Sequence, residues 1–141
     1  MPFRSPRLAT TLCGIPLNNP VLAASGTFAY GVEFDTILDL NRLGGFVVKG
    51  LSKEPMDGNP APRVWEAEAG MMNSIGLQNI GVRAFVSTKL PALAKLKTAV
   101  FANVFGYAAR AGAAATLRDP NKRRFAERVT KAFQGAAGAP S

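Results

Sequence analysis

Three short apolar runs, each closed by a small or polar residue, constrain this chain more than any other feature. Val21-Leu22-Ala23-Ala24 runs into Ser25-Gly26, Phe46-Val47-Val48 into Lys49-Gly50, and Thr98-Ala99-Val100-Phe101-Ala102 into Asn103-Val104-Phe105-Gly106. Short apolar runs bounded by breakers read as buried strands. Between the first two, Phe34, Ile37, Leu38 and, less neatly, Leu40 fit a helical face from about Glu33 to Leu40, which Gly44-Gly45 ends. Strand, helix, strand with short connections is a parallel βαβ unit. Val82 to Leu93 reads as a second helix with Phe85, Val86, Leu90 and Leu93 inward and Pro91 disturbing its end. Ligands gather at the C-terminal ends of strands in α/β folds. Ser25, Lys49 and Asn103 are therefore expected together at one rim of a parallel sheet or barrel.

Two other stretches read as hairpins. Leu8-Ala9-Thr10-Thr11-Leu12 and Ile15-Pro16-Leu17 flank a Cys13-Gly14 turn, and Asn18-Asn19-Pro20 is a break. Leu51 to Asn79 is a long excursion punctuated by Glu54-Pro55, Asp57-Gly58-Asn59-Pro60 and Ala61-Pro62. Within it, Arg63 to Ala67 is expected to pair with Gly70-Met71-Met72. A loop of this length inside a compact domain is functional or disordered, and Val64, Trp65, Met71, Met72, Ile75 and Leu77 argue against disorder. Its last part, Gly70 to Asn79, fits neither helical nor strand periodicity. The amides of Asn73, Gln78 and Asn79 both donate and accept hydrogen bonds, and Gly76 permits close approach. Such a stretch suits a small planar polar ligand; a solvated surface turn is the plainer alternative.

Composition narrows the chemistry. Hydrophobic residues make up 48% of the 141, enough for a core. The apolar runs are too short to span a bilayer and no signal peptide is evident, so a cytoplasmic location is expected. A single cysteine excludes an intramolecular disulfide, and with no histidine a zinc site and Ser-His or Cys-His nucleophile pairs are disfavoured. The net charge of +8 is uneven: residues 1–107 hold 10 Lys+Arg against 7 Asp+Glu, and residues 108–141 hold 7 against 2. With 11 alanines, that last stretch reads differently, which places a composition boundary near Tyr107.

Taken in order, Ala24-Ser25-Gly26, Val48-Lys49-Gly50, Gly58-Asn59-Pro60-Ala61-Pro62-Arg63, Met72-Asn73-Ser74-Ile75-Gly76-Leu77-Gln78-Asn79 and Ala102-Asn103-Val104-Phe105-Gly106 resemble dihydroorotate dehydrogenases, the class 1B bacterial enzymes most closely. The resemblance runs from about Leu8 to Tyr107 and includes Leu12 to Pro20. Ile80 departs from it, standing where the family commonly has proline. The resemblance implies an α/β fold, the N-terminal part of a (β/α)8 TIM barrel with an N-terminal β-hairpin. It implies FMN as cofactor and the oxidation of dihydroorotate to orotate in pyrimidine biosynthesis. It places Ser25, Lys49, Gly50 and Asn103 against the flavin, and Lys49, Asn73, Ser74, Ile75, Gly76 and Leu77 against the substrate. An iron–sulfur, FAD-containing subunit that passes electrons to NAD is the partner implied.

The resemblance stops after Tyr107. The family's next signature, an Asn-x-Ser-Cys-Pro-Asn type segment carrying the catalytic base, has no match in residues 108–141, so no catalytic base is assigned and Cys13 reads as a small buried or turn thiol. A whole barrel of this type needs about 250 residues. Residues 1–107 supply roughly three strands of eight, without the phosphate site that follows strands 7–8. Little or no turnover is expected of this chain alone. Ala108 to Leu117 and Asn121 to Phe133 read as helical and Gly135 to Ser141 as disordered, a basic tail. A truncated or frame-shifted reading of a longer gene would produce such a tail. Two alternatives remain: a non-catalytic module whose tail binds nucleic acid or an anionic surface, with nucleic acid the less favoured, and a related FMN barrel acting on another pyrimidine.

Overall fold

The chain opens with a tight hairpin because Cys13 and Gly14 both take positive φ, 49° and 78°. That is the two-residue turn whose twist suits antiparallel strands. It joins β1 (Thr10–Leu12) to β2 (Ile15–Leu17), with Leu12 opposite Ile15. Cys13 is exposed in this turn. The computed structural model describes residues 6–106 and the strand at 115–116.

The three apolar runs form one parallel sheet. β3 (Leu22–Ala23) pairs with β4 (Gly45–Val47), and β4 with β7 (Ala99–Ala102), both parallel, with Ala23 beside Phe46 and Phe46 beside Val100. The β3 and β4 entrances are tied by one side chain. Asn19 Oδ1 accepts from the amides of Val21 and Gly44, each at 3.0 Å, while its Nδ2 donates to Arg42 O at 2.8 Å. A second hairpin, β5 (Val64–Ala67) with β6 (Gly70–Asn73), stands apart from the sheet, and every residue in it is exposed.

One helical segment covers the sheet: α1 (Gly81–Ala84), a π turn at Phe85–Lys89, and α2 (Leu90–Leu93). The π turn is where Pro91 makes itself felt. Proline lacks the N–H that an α-helix needs and its ring crowds the carbonyl one turn back; the Leu90 amide instead reaches Phe85 O. The expected inward residues are inward. Phe85 is fully buried, and Leu90 and Leu93 join it in a core with Tyr30, Leu40, Phe46, Val48, Leu51 and Val100. Phe28 stacks on Phe34 at 4.5 Å between ring centroids and meets Phe46 at 5.3 Å. Gly31 (φ 86°) lies so close to the Phe46 ring that a Cβ there would overlap it.

Two expectations need correction. The helix from Glu33 to Leu40 is absent; short 3-10 turns at Val32–Phe34 and Leu40–Arg42 stand in its place, and Ile37 is 80% exposed. Asp39 is the physical reason for the second turn, since its carboxylate accepts from the Asn41 amide and starts a new cap there. Of the expected helix over Ala108–Leu117, Ala115–Thr116 are extended as β8 and pair antiparallel with β7. The remaining tail readings lie outside the described residues.

Candidate functional site

The C-terminal ends of β3, β4 and β7 do converge. Ser25, Gly26, Lys49, Gly50, Asn103 and Phe105 form one wall of a cavity of about 540 Å³. Asn73, Ser74, Ile75, Gly76, Leu77 and Gln78, at the end of β6 and beyond, form the other. All nine residues singled out from the sequence thus line a single space, of a size typical for small-molecule sites.

Backbone bonds hold the strand-end wall. The Lys49 amide donates to Ala29 O at 2.6 Å, and Leu51 N and Phe105 N exchange bonds with Asn103 O (2.8 Å) and Leu51 O (3.0 Å). A Cβ on Gly50 would stand 3.0 Å from the Phe105 ring and would press that ring aside. A Cβ on Gly26 would meet nothing within 4 Å, so that position opens onto free space.

The other wall is held by the two motifs of the excursion, which interlock. Gly58 (φ 77°) presses on Ile75 O, where a Cβ would overlap, and Gly76 (φ 77°) presses on Asn59, where a Cβ would lie 2.7 Å from the amide nitrogen. Asn59 Nδ2 donates to Ser74 O at 2.9 Å and Ser74 Oγ at 2.8 Å. Arg63 donates to Gln78 Oε1 at 2.8 Å, and Arg63 O accepts from Ser74 N at 2.9 Å. Asn79 anchors the far end. It is 5% exposed; its Oδ1 accepts from Ser52 N (3.2 Å) and Gly81 N (2.9 Å), and its Nδ2 donates to Ser52 Oγ (2.9 Å) and Leu77 O (3.0 Å). The idea that all three amides of this stretch face a ligand is therefore corrected. Asn79 serves the fold, Gln78 lines the cavity with its Oε1 committed to Arg63, and Asn73 makes no side-chain hydrogen bond among the described residues.

What remains unpaired defines the chemistry. Lys49 Nζ, Ser25 Oγ and the side-chain amides of Asn73 and Asn103 make no hydrogen bond or ion pair among the described residues. Neither do the backbone amides of Ile75, Gly76 and Leu77. Lys49 is the only ionisable side chain among the described residues of the lining. A cavity with donors to spare, one positive charge and no carboxylate favours an anionic ligand rich in acceptors.

Beneath this wall, Tyr30 Oη accepts from Ile80 N at 3.1 Å. Burial pushes the Tyr30 hydroxyl above its ordinary pKa, against the effect of that hydrogen bond. Glu33 takes the Tyr30 amide at 3.1 Å and Lys89 Nζ at 2.9 Å. Partial burial alone would push the Glu33 carboxyl up, but the hydrogen bond and charge of Lys89, with backbone donors, hold it below the ordinary value. No His, Cys, Asp or Glu cluster among the described residues fits a metal ion, and no described helix is long and apolar enough to cross a membrane.

The family model for dihydroorotate dehydrogenase matches residues 7–121. The chain belongs to the dihydroorotate dehydrogenase family. It is 79% identical over 103 residues to a putative dihydroorotate dehydrogenase A (fumarate) of Solibacter usitatus, a match covering 73% of this chain and 34% of that protein. It is 54% identical over 101 residues to the catalytic subunit of dihydroorotate dehydrogenase B (NAD(+)) of Thermodesulfovibrio yellowstonii, covering 72% and 33%. The chain thus spans about a third of the length of the curated relatives it matches. A ligand-free DHODH structure from Eimeria tenella superposes with a TM-score of 0.57 at 19% identity, covering 72% of this chain and 30% of that one. That likeness identifies the fold as part of a dihydroorotate dehydrogenase TIM barrel, in keeping with the parallel β3-β4-β7 sheet.

Asn59, Arg63 and Ser52 hold the wall without lining it; Gly58 to Arg63 is among the motifs that carry the resemblance, but no bracing role was read from it, and Ser52 carried no signal. Gly26 and Phe105 also line the cavity and were not assigned; Gln78, one of the three amides expected at a ligand, lines it too.

Proposed function

We propose that this chain carries the substrate wall and part of the flavin wall of a dihydroorotate dehydrogenase. The observation that carries the reading is one cavity lined by Lys49, the sole ionisable residue among its described lining, together with Asn73, Asn103 and Ile75–Leu77, whose side-chain amides and backbone N–H groups are unpaired among the described residues. Dihydroorotate is a cyclic imide bearing a carboxylate on a saturated ring carbon, and its product orotate is planar. Uncommitted amides suit the imide, and Lys49 with backbone N–H groups suits the carboxylate.

The lining also fits a flavin in part. Gly26 opens onto free space, Gly50 keeps the strand end flat, and Ser25, Lys49 and Asn103 offer unpaired donors beside it. Ser25, Lys49, Gly50 and Asn103 would hold FMN. When bound, FMN supplies the two-electron acceptor for the hydride that dihydroorotate loses. Lys49 would then serve both ligands, orienting the carboxylate and offsetting negative charge on the reduced ring. The neighbouring carbon must lose a proton as its C=C bond forms, and the described lining holds no carboxylate, thiol or histidine to take it. The 141-residue chain alone is therefore expected to form little or no orotate.

The names of the relatives divide on the acceptor, fumarate or NAD(+). We assign the class 1B reading, with an iron–sulfur, FAD-containing partner, on the motif resemblance and on the B-type relatives. In this reading residues 1–107 form the barrel part and 108–141 a tail of different composition, of which Ala115–Thr116 pair with β7.

Backbone NMR shifts of the chain test these assignments together. Added FMN is expected to move Ser25, Lys49, Gly50 and Asn103. Added orotate is expected to move Lys49 and Asn73 through Leu77. Shifts scattered outside the cavity, or none at millimolar ligand, contradict the reading.

A further inference from the structure

Asn59 lies outside the cavity's lining yet grips the residues that make its outer wall. Its Nδ2 donates to both Ser74 O (2.9 Å) and Ser74 Oγ (2.8 Å), and its backbone amide donates to Ile75 O (3.0 Å). Gly76 packs against the same side chain, its Cβ position only 2.9 Å from Asn59 Oδ1. The orientation of the amide follows from chemistry: a carbonyl oxygen such as Ser74 O only accepts, so the NH2 end must face it. Arg63 fixes the flanks of this stretch, through Ser74 N at one end and Gln78 at the other. Asn59 holds the middle.

We propose that Asn59 is a positioning residue for the Ser74–Leu77 wall. Its side-chain amide commits Ser74 O and its backbone amide commits Ile75 O, and this leaves the N–H groups of Ile75, Gly76 and Leu77 free for an anionic ligand. The ligand half of this statement rests on the functional reading above; the positioning half does not. Gly76 and Leu77 sit at φ 77° and 58°, a conformation that an L-residue such as Leu77 adopts only under constraint. Loss of the Asn59 bonds removes a constraint that keeps it there.

The experiment uses the 141-residue chain with Asn59→Ala and Asn59→Asp. NMR order parameters of the Ile75–Leu77 amides are expected to drop from the rigid range near 0.85 to below about 0.6 in both variants. Those of Phe46 and Val100 should stay unchanged. Unaltered order parameters at Ile75–Leu77 overturn the proposal, whether or not any ligand binds. Orotate affinity, by calorimetry, should fall at least about tenfold in both variants at pH 7. The aspartate regains a donor when protonated, and its ordinary pKa is about 3.9; facing two oxygens raises it. Affinity in N59D should therefore recover in part at pH 5 while that of N59A does not. Equal affinities of variant and wild type, or an N59D indistinguishable from N59A at both pH values, overturn it. A wild type that fails to bind orotate contradicts the functional reading, and the order parameters then decide the positioning claim alone.

Discussion

The parallel sheet with its helix and the Leu51–Asn79 excursion are built on opposite principles. In the first, cohesion comes from apolar burial: Phe46, Val48, Leu51 and Phe85 are fully enclosed. In the second, Val64, Trp65, Met71, Met72 and Leu77 are at least half exposed, and shape is set by glycine contacts and side-chain amides. The contrast teaches where tolerance lies. A sheet held by burial resists the loss of any one polar group. A wall held by four or five hydrogen bonds and two tight glycines loses its form when one of them goes, while the rest of the fold stands.

The largest expected effect falls in the sheet. Phe46→Ala should cost about 3–5 kcal/mol, seen as a large drop in the urea midpoint, with sheet and excursion unfolding together. A loss below about 1 kcal/mol would break the claim that burial holds this half. Next is Asn79→Ala at the seam. It strips the amides of Ser52 and Gly81 of their shared acceptor and should cost about 2–3 kcal/mol, measured the same way. Gly58→Ala should cost about 1–2 kcal/mol, because φ 77° and the Ile75 carbonyl both oppose a Cβ. Its signature is local: amide shifts from Asn59 to Gln78 move and those of β4 and β7 do not. Movement throughout the sheet would show that the two regions are not separable.

The smallest effect is electrostatic. The folded Glu33 carboxyl titrates below its ordinary value of 4.5. Its contribution is therefore complete above that value and is lost as pH falls through the lower folded value. The side chain is 38% exposed, so after screening the contribution is at most about 0.5 kcal/mol. Glu33→Gln should flatten the stability profile by that amount below pH 4.5 and leave it unchanged in shape above. A steeper dependence in the variant would contradict the pairing with Lys89.

How much of this was legible follows the same division. The strands at Phe46 and Val100 were legible because a buried parallel strand writes itself as an unbroken apolar run; the run at Val21–Ala24 also gives a strand, but the expectation that it is buried is corrected, since Val21 and Leu22 are exposed at the edge of the sheet. The Cys13-Gly14 turn and the β5/β6 pairing were legible as short strand-like runs flanking a turn. The stretch from Glu33 to Leu40 misled because Ile37 carries helical spacing without burial, while Asp39 caps a new turn one residue before the run would end. The lining of the cavity was reached through strand ends and motif resemblance, both local in sequence. Its braces were not, because Asn59 acts on Ser74 across 15 residues, Asn79 on Ser52 across 27, and Tyr30 on Ile80 across 50. No periodicity records a hydrogen bond between two loops.

The most direct test of the central claim compares orotate with uracil, a pyrimidine of similar shape that lacks the carboxylate. Both are titrated calorimetrically into the wild-type chain and into Lys49→Ala at fixed ionic strength. The cavity described here predicts that wild type prefers orotate by at least about tenfold, and that Lys49→Ala erases most of the preference with little change toward uracil. Equal binding of the two ligands by the wild type, or a preference that survives the loss of Lys49, would contradict it.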